Sequence, residues 1–142
     1  MMTMRDYDHA RDFLRVRDFL VETYAHFGRS YNWTIERWNF AASVARTMHA
    51  ISLEDWAAQI AIWEADGVIQ AVANSEGEDA GEVFFQLRHE DLPASLLAEL
   101  FAFAESRMGK VEGDTRTLEL YVPELNARLE AMSDAHGYAR QD

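Results

Sequence analysis

Leu118-Glu119-Leu120-Tyr121-Val122-Pro123-Glu124-Leu125-Asn126 is the stretch that decides the fold of this chain. Its first half alternates in hydrophobicity, which predicts a strand over 117–122. Proline fixes the backbone as the first turn of a helix requires, so a helix is predicted over 123–136 directly after the strand. Asn126 stands at this junction, and Gly137-Tyr138 follows eleven and twelve residues later.

The segments before this stretch predict two helices, three strands and a third helix. A short strand over 4–7 precedes a helix capped by Asp8, and a second helix begins near residues 32–34. A capped turn at 52–55 leads to strands over 59–64, 68–74 and 81–87, the first two joined by an Asp66-Gly67 hairpin turn. A helix opens at Pro93, and 109–114 is predicted as a loop.

The resulting order, (β)ααβββαβα, predicts an α+β fold. We expect helices on both faces of one mixed sheet, in which an antiparallel meander is extended by strand 117–122 lying parallel to strand 81–87. With 142 residues, of which 49% are hydrophobic, the simplest division is a single domain over 1–142.

Several function classes are disfavoured by composition. The chain has no cysteine, which excludes disulfides, thiolate metal sites and a cysteine nucleophile, and we expect a cytoplasmic protein. No apolar run approaches the roughly 18 residues that a membrane span requires. The histidines lack metal-ligand spacing, so no metal site is expected.

Negative charge is concentrated after residue 50. Residues 1–50 carry seven basic and six acidic residues, and residues 51–142 carry six basic and nineteen acidic residues, which together give the net charge of −12. Such a surface repels phosphate backbones, so nucleic-acid binding is not expected. It suits a cationic partner or a small amine, and it also serves solubility alone.

The element order and a few residues resemble the GNAT superfamily of N-acetyltransferases. The residues are Asp66-Gly67, Gly81 at the start of a strand, and the spacing from Asn126 to Gly137-Tyr138. Asn32-Trp33 and Arg37-Trp38 are also similar to the N-terminal halves of tandem GNAT proteins. The superfamily core has two more strands after the Gly-aromatic pair. The resemblance therefore implies that the final strands are missing, and that a second copy or a second GNAT domain covers the open sheet edge.

The resemblance implies an acetyl-CoA site between the splayed strands 81–87 and 117–122. Backbone groups of Phe85, Gln86 and Leu87 would hold the pantetheine and polarise the acetyl carbonyl. Arg88 would supply part of the positive charge that the cofactor phosphates need. Asn126 would correspond to the asparagine of the superfamily at the strand–helix junction.

This chain departs from the superfamily pattern at two chemical positions. The turn that should bind pyrophosphate has no glycine and contains Glu90, Asp91 and Pro93, of which Asp91 can cap the following helix. The tyrosine that protonates the departing thiolate is replaced by Ser133, a far weaker acid. Tyr138 occupies an aromatic position that is normally core.

Other residues are candidates for chemistry that remains open. Glu82 or Glu64 could act as a general base toward an amine, although both are typical of solvent-facing strand positions. His89 lies near the cofactor mouth or simply in a loop. The four tryptophans either line a pocket between the first helices and the sheet or belong to the core; they are Trp33, Trp38, Trp56 and Trp63.

Three interpretations follow. The first is a GNAT-like domain with a degenerate acetyl-CoA site, which is non-catalytic or depends on a partner domain or subunit. The second is an active N-acetyltransferase acting on a small amine. The third is an unrelated α+β binding module with the same order of elements.

Overall fold

A five-stranded mixed sheet forms the centre of the computed structural model, which describes residues 2–28, 31–77, 81–122 and 126–140. The strands of this sheet stand in the order β1-β2-β3-β4-β7, and a separate hairpin consists of β5 and β6. Their bounds are β1 Met2–Asp6, β2 Ala61–Ala65, β3 Val68–Asn74, β4 Glu82–Leu87, β5 Lys110–Glu112, β6 Thr115–Thr117 and β7 Glu119–Tyr121.

Helices pack on both faces of the sheet. They are α1 His9–Phe27, α2 Ile35–Phe40, α3 Arg46–Met48, α4 Leu53–Ala57, α5 Ala94–Phe103 and α6 Ala127–Ala135. A π-helical turn, Ala41–Ala45, joins α2 to α3, and a second one, Ala104–Met108, extends α5. The helix starts follow from local capping: the side chains of Asp8, Thr34 and Ser52 each accept a hydrogen bond from the backbone N–H three residues later.

The sheet separates two apolar cores, one on each of its faces. On one face Val83, Phe85 and Leu87 of β4 pack with residues of α5 and with Leu129 of α6. On the other face Phe84 packs with residues of α1, α2 and α4. The alternation of side chains along β4 therefore sends successive residues into different cores, which is why the strand reads as a continuous apolar run. The predicted α+β fold, with helices on both faces of a mixed sheet, is confirmed.

The predicted hairpin between β2 and β3 is also present. Asp66 and Gly67 both adopt positive φ angles, 53° and 77°, as a two-residue turn of the primed type requires. The predicted strand over 59–64 is β2, in which Ala61, Ile62 and Trp63 are all buried. A strand covered on both faces buries both of its sides.

The predicted parallel pair is formed by β4 and β7. Glu82 is opposite Glu119, Val83 opposite Leu120 and Phe84 opposite Tyr121. Among the described residues, the pairing ends there, while β4 continues to Leu87. Phe84, Phe85 and Tyr121 of these strands, and Val122 just after β7, line a cavity at this point.

Two boundaries near this strand differ from the prediction. Part of the segment 109–114 is not loop but β5, which pairs with β6, so Thr117 belongs to the hairpin rather than to β7. Both strands are three residues long and exposed, so no hydrophobic period marked them. Asn126 caps α6, whereas residues 123–125, where the helix was predicted to start, lie outside the described residues.

A buried ion-pair network fixes α1 to the first two strands. Asp12 is fully buried and accepts hydrogen bonds from Arg5, Arg15 and the backbone N–H of Asp8. Glu64, one of the predicted general bases, pairs with both of these arginines. We call Arg5, Asp12, Arg15 and Glu64 the Asp12 network.

No helix in the described part of the chain is long and apolar enough to cross a bilayer.

Candidate functional site

The backbone at the end of β4 is hydrogen-bonded by a side chain from the loop before α2. The Leu87 N–H donates to Asn32 Oδ1 at 2.9 Å, and Asn32 Nδ2 donates to the Leu87 carbonyl at 2.7 Å. On the opposite edge of the strand, the Arg88 N–H donates to Gln70 of β3. Asn32 thus makes the pair of bonds that a neighbouring strand would make, beyond the described part of the pairing between β4 and β7.

Gln86 is fixed by two further hydrogen bonds. Its Oε1 accepts from the Trp33 N–H at 2.7 Å, and its Nε2 donates to Asn74 Oδ1 at 3.2 Å. The side chain is buried, so it holds the chain entering α2 against the middle of the sheet. Phe85 points to the other face, where its ring packs against Phe101 of α5.

An aromatic cavity of about 220 Å³ is lined by residues of β4, of β7 and of the segment before and within α2. Gln86, Arg37 and Val122 contribute to its wall, and the rest is aromatic: Tyr31, Trp33, Phe84, Phe85 and Tyr121. Trp33 is therefore the tryptophan that lines a pocket. Trp38 and Trp56 belong to the core under α1 and α2, and Trp63 packs in the core on the opposite face.

One guanidinium lies against the aromatic wall of this cavity. The Arg37 Cζ is 4.5 Å from the centroid of the Trp33 ring and 4.8 Å from that of Phe84. Arg37 Nε also donates to Glu76 Oε2 at 2.7 Å. Gly77 keeps this loop close to the start of α3: it has a φ of 81°, and a Cβ there would lie 3.2 Å from the Cβ of Arg46.

Asn126 connects the start of α6 to the wall of the cavity. Its Oδ1 accepts from the Leu129 N–H at 3.0 Å, and its Nδ2 donates to the hydroxyl of Tyr31. The Tyr31 ring stacks on Phe27 with the ring centroids 4.1 Å apart. Burial raises the pKa of Tyr31 to about 12, so its hydroxyl stays protonated at neutral pH.

The start of α5 contains no side-chain cap. Pro93 is the N-cap residue, so the predicted cap at Asp91 is wrong. Glu90 and Asp91 are exposed just before the helix, and His89 is an exposed neighbour of His26, their ring centroids 5.5 Å apart. Anionic side chains at this place oppose the binding of phosphate.

The predicted phosphate ligand Arg88 lies against α1. Its Nε donates to the Ile69 carbonyl at 2.5 Å, its Nη1 pairs with Glu22 at 3.1 Å, and its guanidinium lies 5.2 Å from the centre of the Phe19 ring. Arg128 of α6, by contrast, contacts the segment just before α5, where it donates to the Leu92 carbonyl at 2.6 Å.

The two predicted catalytic residues lie on different sides of the sheet. Glu82 is at the start of β4 on the face that also carries Phe84, whereas Ser133 belongs to α6, whose Leu129 packs in the other core. The Ser133 hydroxyl donates to the Leu129 carbonyl at 2.8 Å, within its own helix. The structure does not bring these residues together.

Sequence reasoning missed the parts of the site that come from loops. Asn32 and Arg37 stood out only as features of the resemblance, and Tyr31 and Glu76 carried no signal. Each of them acts through a partner far away in the sequence, since Asn32 and Leu87 are 55 residues apart. A run of Tyr31, Asn32 and Trp33 directly before a helix cap was the one local hint of a concave wall.

Comparisons with known proteins bear on the fold. The sequence matches no protein-family model and no curated protein sequence. The solved structure of yncA, a candidate acetyltransferase from Salmonella typhimurium in complex with its cofactor acetyl-CoA, matches 99% of this chain and 81% of its own, with a TM-score of 0.52 and 15% identity. The chain has the GNAT fold. At this identity the likeness extends to the architecture alone.

Proposed function

We propose that this chain is a GNAT-fold binding domain with a degenerate acetyl-CoA site, which is non-catalytic or depends on a partner domain or subunit. The observation that supports this most is the pairing of Asn32 with Leu87. A pantetheine arm between β4 and β7 would need the backbone groups at the end of β4, and both groups of Leu87 already have a buried partner. Displacing that partner costs two hydrogen bonds before any cofactor contact forms.

The start of α5 supports the same proposal. A pyrophosphate is normally held by free backbone N–H groups at a helix N-terminus. Here the cap is a proline, which has no N–H, and Glu90 and Asp91 precede it. The hydroxyl of Ser133 is also hydrogen-bonded within α6, so it is not presented to a leaving group.

Calorimetric titration with acetyl-CoA and free coenzyme A tests the proposal. We expect no binding at millimolar cofactor for the unmodified chain. In Asn32→Ala the Leu87 groups are released, and any cofactor affinity should increase. Asn74→Ala is the matched control, because Asn74 is an equally buried amide of the same network that does not contact Leu87. Micromolar binding by the unmodified chain would overturn the proposal.

A second candidate function is an active acetyl-CoA-dependent N-acetyltransferase that acts on a small amine. It is favoured by Tyr31, a protonated phenol that lines the cavity beside Asn126 and could act where the superfamily tyrosine is absent. Glu82 would be its base. The release of free coenzyme A from acetyl-CoA, measured with a panel of amines, tests this function. Tyr31→Phe should abolish the release, whereas Tyr24→Phe, at an exposed position of α1, should not.

We further propose that a second copy or a second GNAT domain covers β7. This strand is the last in the sheet order, and in the described part of the chain its outer edge carries no further strand. Unpaired strand edges readily pair with other chains. Sedimentation over a wide concentration range should show self-association, and a monomer at high concentration would exclude the homodimer.

A further inference from the structure

The aromatic cavity contains the elements of a cation-recognition site, and one cation of the chain itself lies against them. Trp33 and Phe84 are buried and meet edge to face with their centroids 5.0 Å apart, so their ring positions are fixed by packing. Tyr121 stacks on Phe84 at 4.3 Å, with the planes within 5° of parallel. The faces of aromatic rings attract cations, and tryptophan does so most strongly.

Carboxylates surround these rings. Glu76 pairs with the guanidinium of Arg37, and Glu119 Oε2 lies 3.3 Å from the Tyr121 hydroxyl. Burial, followed by the charges of Glu82, Glu119 and Glu76, raises the pKa of Tyr121. Carboxylates from three separate segments therefore act on one hydroxyl at the mouth of the cavity.

Arg37 differs from the rings in how firmly it is held. Its side chain is 44% exposed, whereas Trp33 is 6% and Phe84 7% exposed. A long side chain of this kind can swing into solvent at low cost, because its stem is flexible and its head is well hydrated there. The rings and Glu76 would then remain as a preformed receptor for another cation.

We propose that Trp33, Phe84, Tyr121, Glu76 and Glu119 form a binding site for an organic cation with a guanidinium or alkylammonium head, which replaces the guanidinium of Arg37. We call this group the cation site. Replacement rather than addition is required, since two like charges beside the same carboxylate repel each other. The site needs no acetyl-CoA, so it holds whether or not the cofactor site is degenerate.

The proposal makes Arg37 an intramolecular competitor. A tethered group acts at an effective concentration that reaches millimolar values or more, so its removal should strengthen the binding of an external cation by about tenfold or more. If Arg37 competes with the ligand, its removal should increase the affinity for the external cation. If Arg37 only shapes the cavity, its removal should lower that affinity.

Calorimetric titration with argininamide, in the absence of cofactor, tests the proposal. Arg37→Ala should bind it about tenfold or more tightly than the unmodified chain. Both ligands are used as their Nα-acetyl derivatives, so that the guanidinium is the one charge of the argininamide probe, and neither protein should bind the citrullinamide derivative, whose ureido group is neutral and of similar shape. Arg107→Ala is the matched control: Arg107 is 45% exposed, lies 5.2 Å from the centre of the Phe103 ring and pairs with Asp6, away from the cavity, and its removal should change nothing.

Two further probes identify the receptor and the ligand source. Glu76→Gln, made in the Arg37→Ala chain, should lose most of the gained affinity, and so should Trp33→Leu if its thermal unfolding stays cooperative. A capped Gly-Arg-Gly peptide that binds more tightly than argininamide would indicate a peptide side chain as the ligand, and weaker binding would indicate a free small molecule. If Arg37→Ala binds argininamide no better than the unmodified chain, or no better than citrullinamide, the proposal is wrong.

Discussion

The Asp12 network and the cation site lie on the same side of the sheet, and they use arginine in opposite ways. In the Asp12 network two arginines meet two carboxylates, and Asp12 is completely enclosed. In the cation site one exposed arginine lies over rings that border a cavity. Enclosure, rather than the number of ion pairs, therefore distinguishes the cluster that holds the fold from the site at which we propose that a cation exchanges.

Replacing Asp12 should have the largest effect on stability. Asp12→Ala leaves Arg5 and Arg15 without their shared buried partner, and breaking such a pair costs about 4 kcal/mol. Urea unfolding measures the loss. Asp18→Ala, an exposed position of the same helix, should lie within about 0.5 kcal/mol of the unmodified chain. A loss below about 1 kcal/mol for Asp12→Ala would show that solvent reaches the network and that enclosure is incomplete.

Replacing Gln86 should have the next largest effect on stability, because this side chain connects the end of β4 with Trp33 in the wall of the cavity. Gln86→Ala removes the acceptor of the Trp33 N–H and a partner of Asn74, and it leaves both buried. We expect a loss of about 3 kcal/mol. Urea unfolding should show almost no change for Gln70→Ala, whose amide bonds only locally. Equal losses of unfolding free energy for Gln86→Ala and Gln70→Ala would show that the hydrogen bonds of Gln86 to Trp33 and Asn74 do not stabilise the fold.

How far the sequence leads can be seen at these residues. Local signals predicted correctly wherever a short segment decides its own conformation, as at the caps Asp8 and Ser52 and the turn at Asp66-Gly67. Asp12 lies in the first turn of α1, where an acidic residue also suits the helix dipole in solvent, so its burial left no mark in the sequence. The roles of Asn32 and Gln86 arise only when distant segments meet, and no local pattern contains them.

Acid should weaken the Asp12 network specifically. Hydrogen bonds from Arg5 and Arg15 outweigh the cost of burial and lower the pKa of Asp12 from 3.8 to about 2. Since the folded-state pKa lies below the unfolded one, the stabilisation is complete above pH 4 to 5 and is lost as the pH falls toward 2. The shift corresponds to about 2 kcal/mol.

Urea unfolding between pH 6 and pH 2 checks this expectation. The hydrogen bond from Arg5 likewise lowers the pKa of Glu64, so its contribution has the same sign. Asp12→Ala should show a shallower loss over the acidic range, because the group that takes up the proton is gone. A parallel pH dependence of both chains would assign the acid sensitivity to other carboxylates.

Replacing Arg37 should have the smallest effect on stability, and this is the result that separates the two clusters most sharply. Arg37→Ala removes an exposed ion pair and a cation–π contact, together worth about 1.5 kcal/mol, which is the free energy that a tenfold gain in cation binding corresponds to. Glu76 keeps 18% of its side chain exposed, so hydration compensates part of the lost ion pair. Urea unfolding with Arg107→Ala as reference measures the difference. A loss above about 2 kcal/mol would mean that Arg37 supports the fold as Arg5 does, and the exchange of its guanidinium for an external cation would then be too costly to occur.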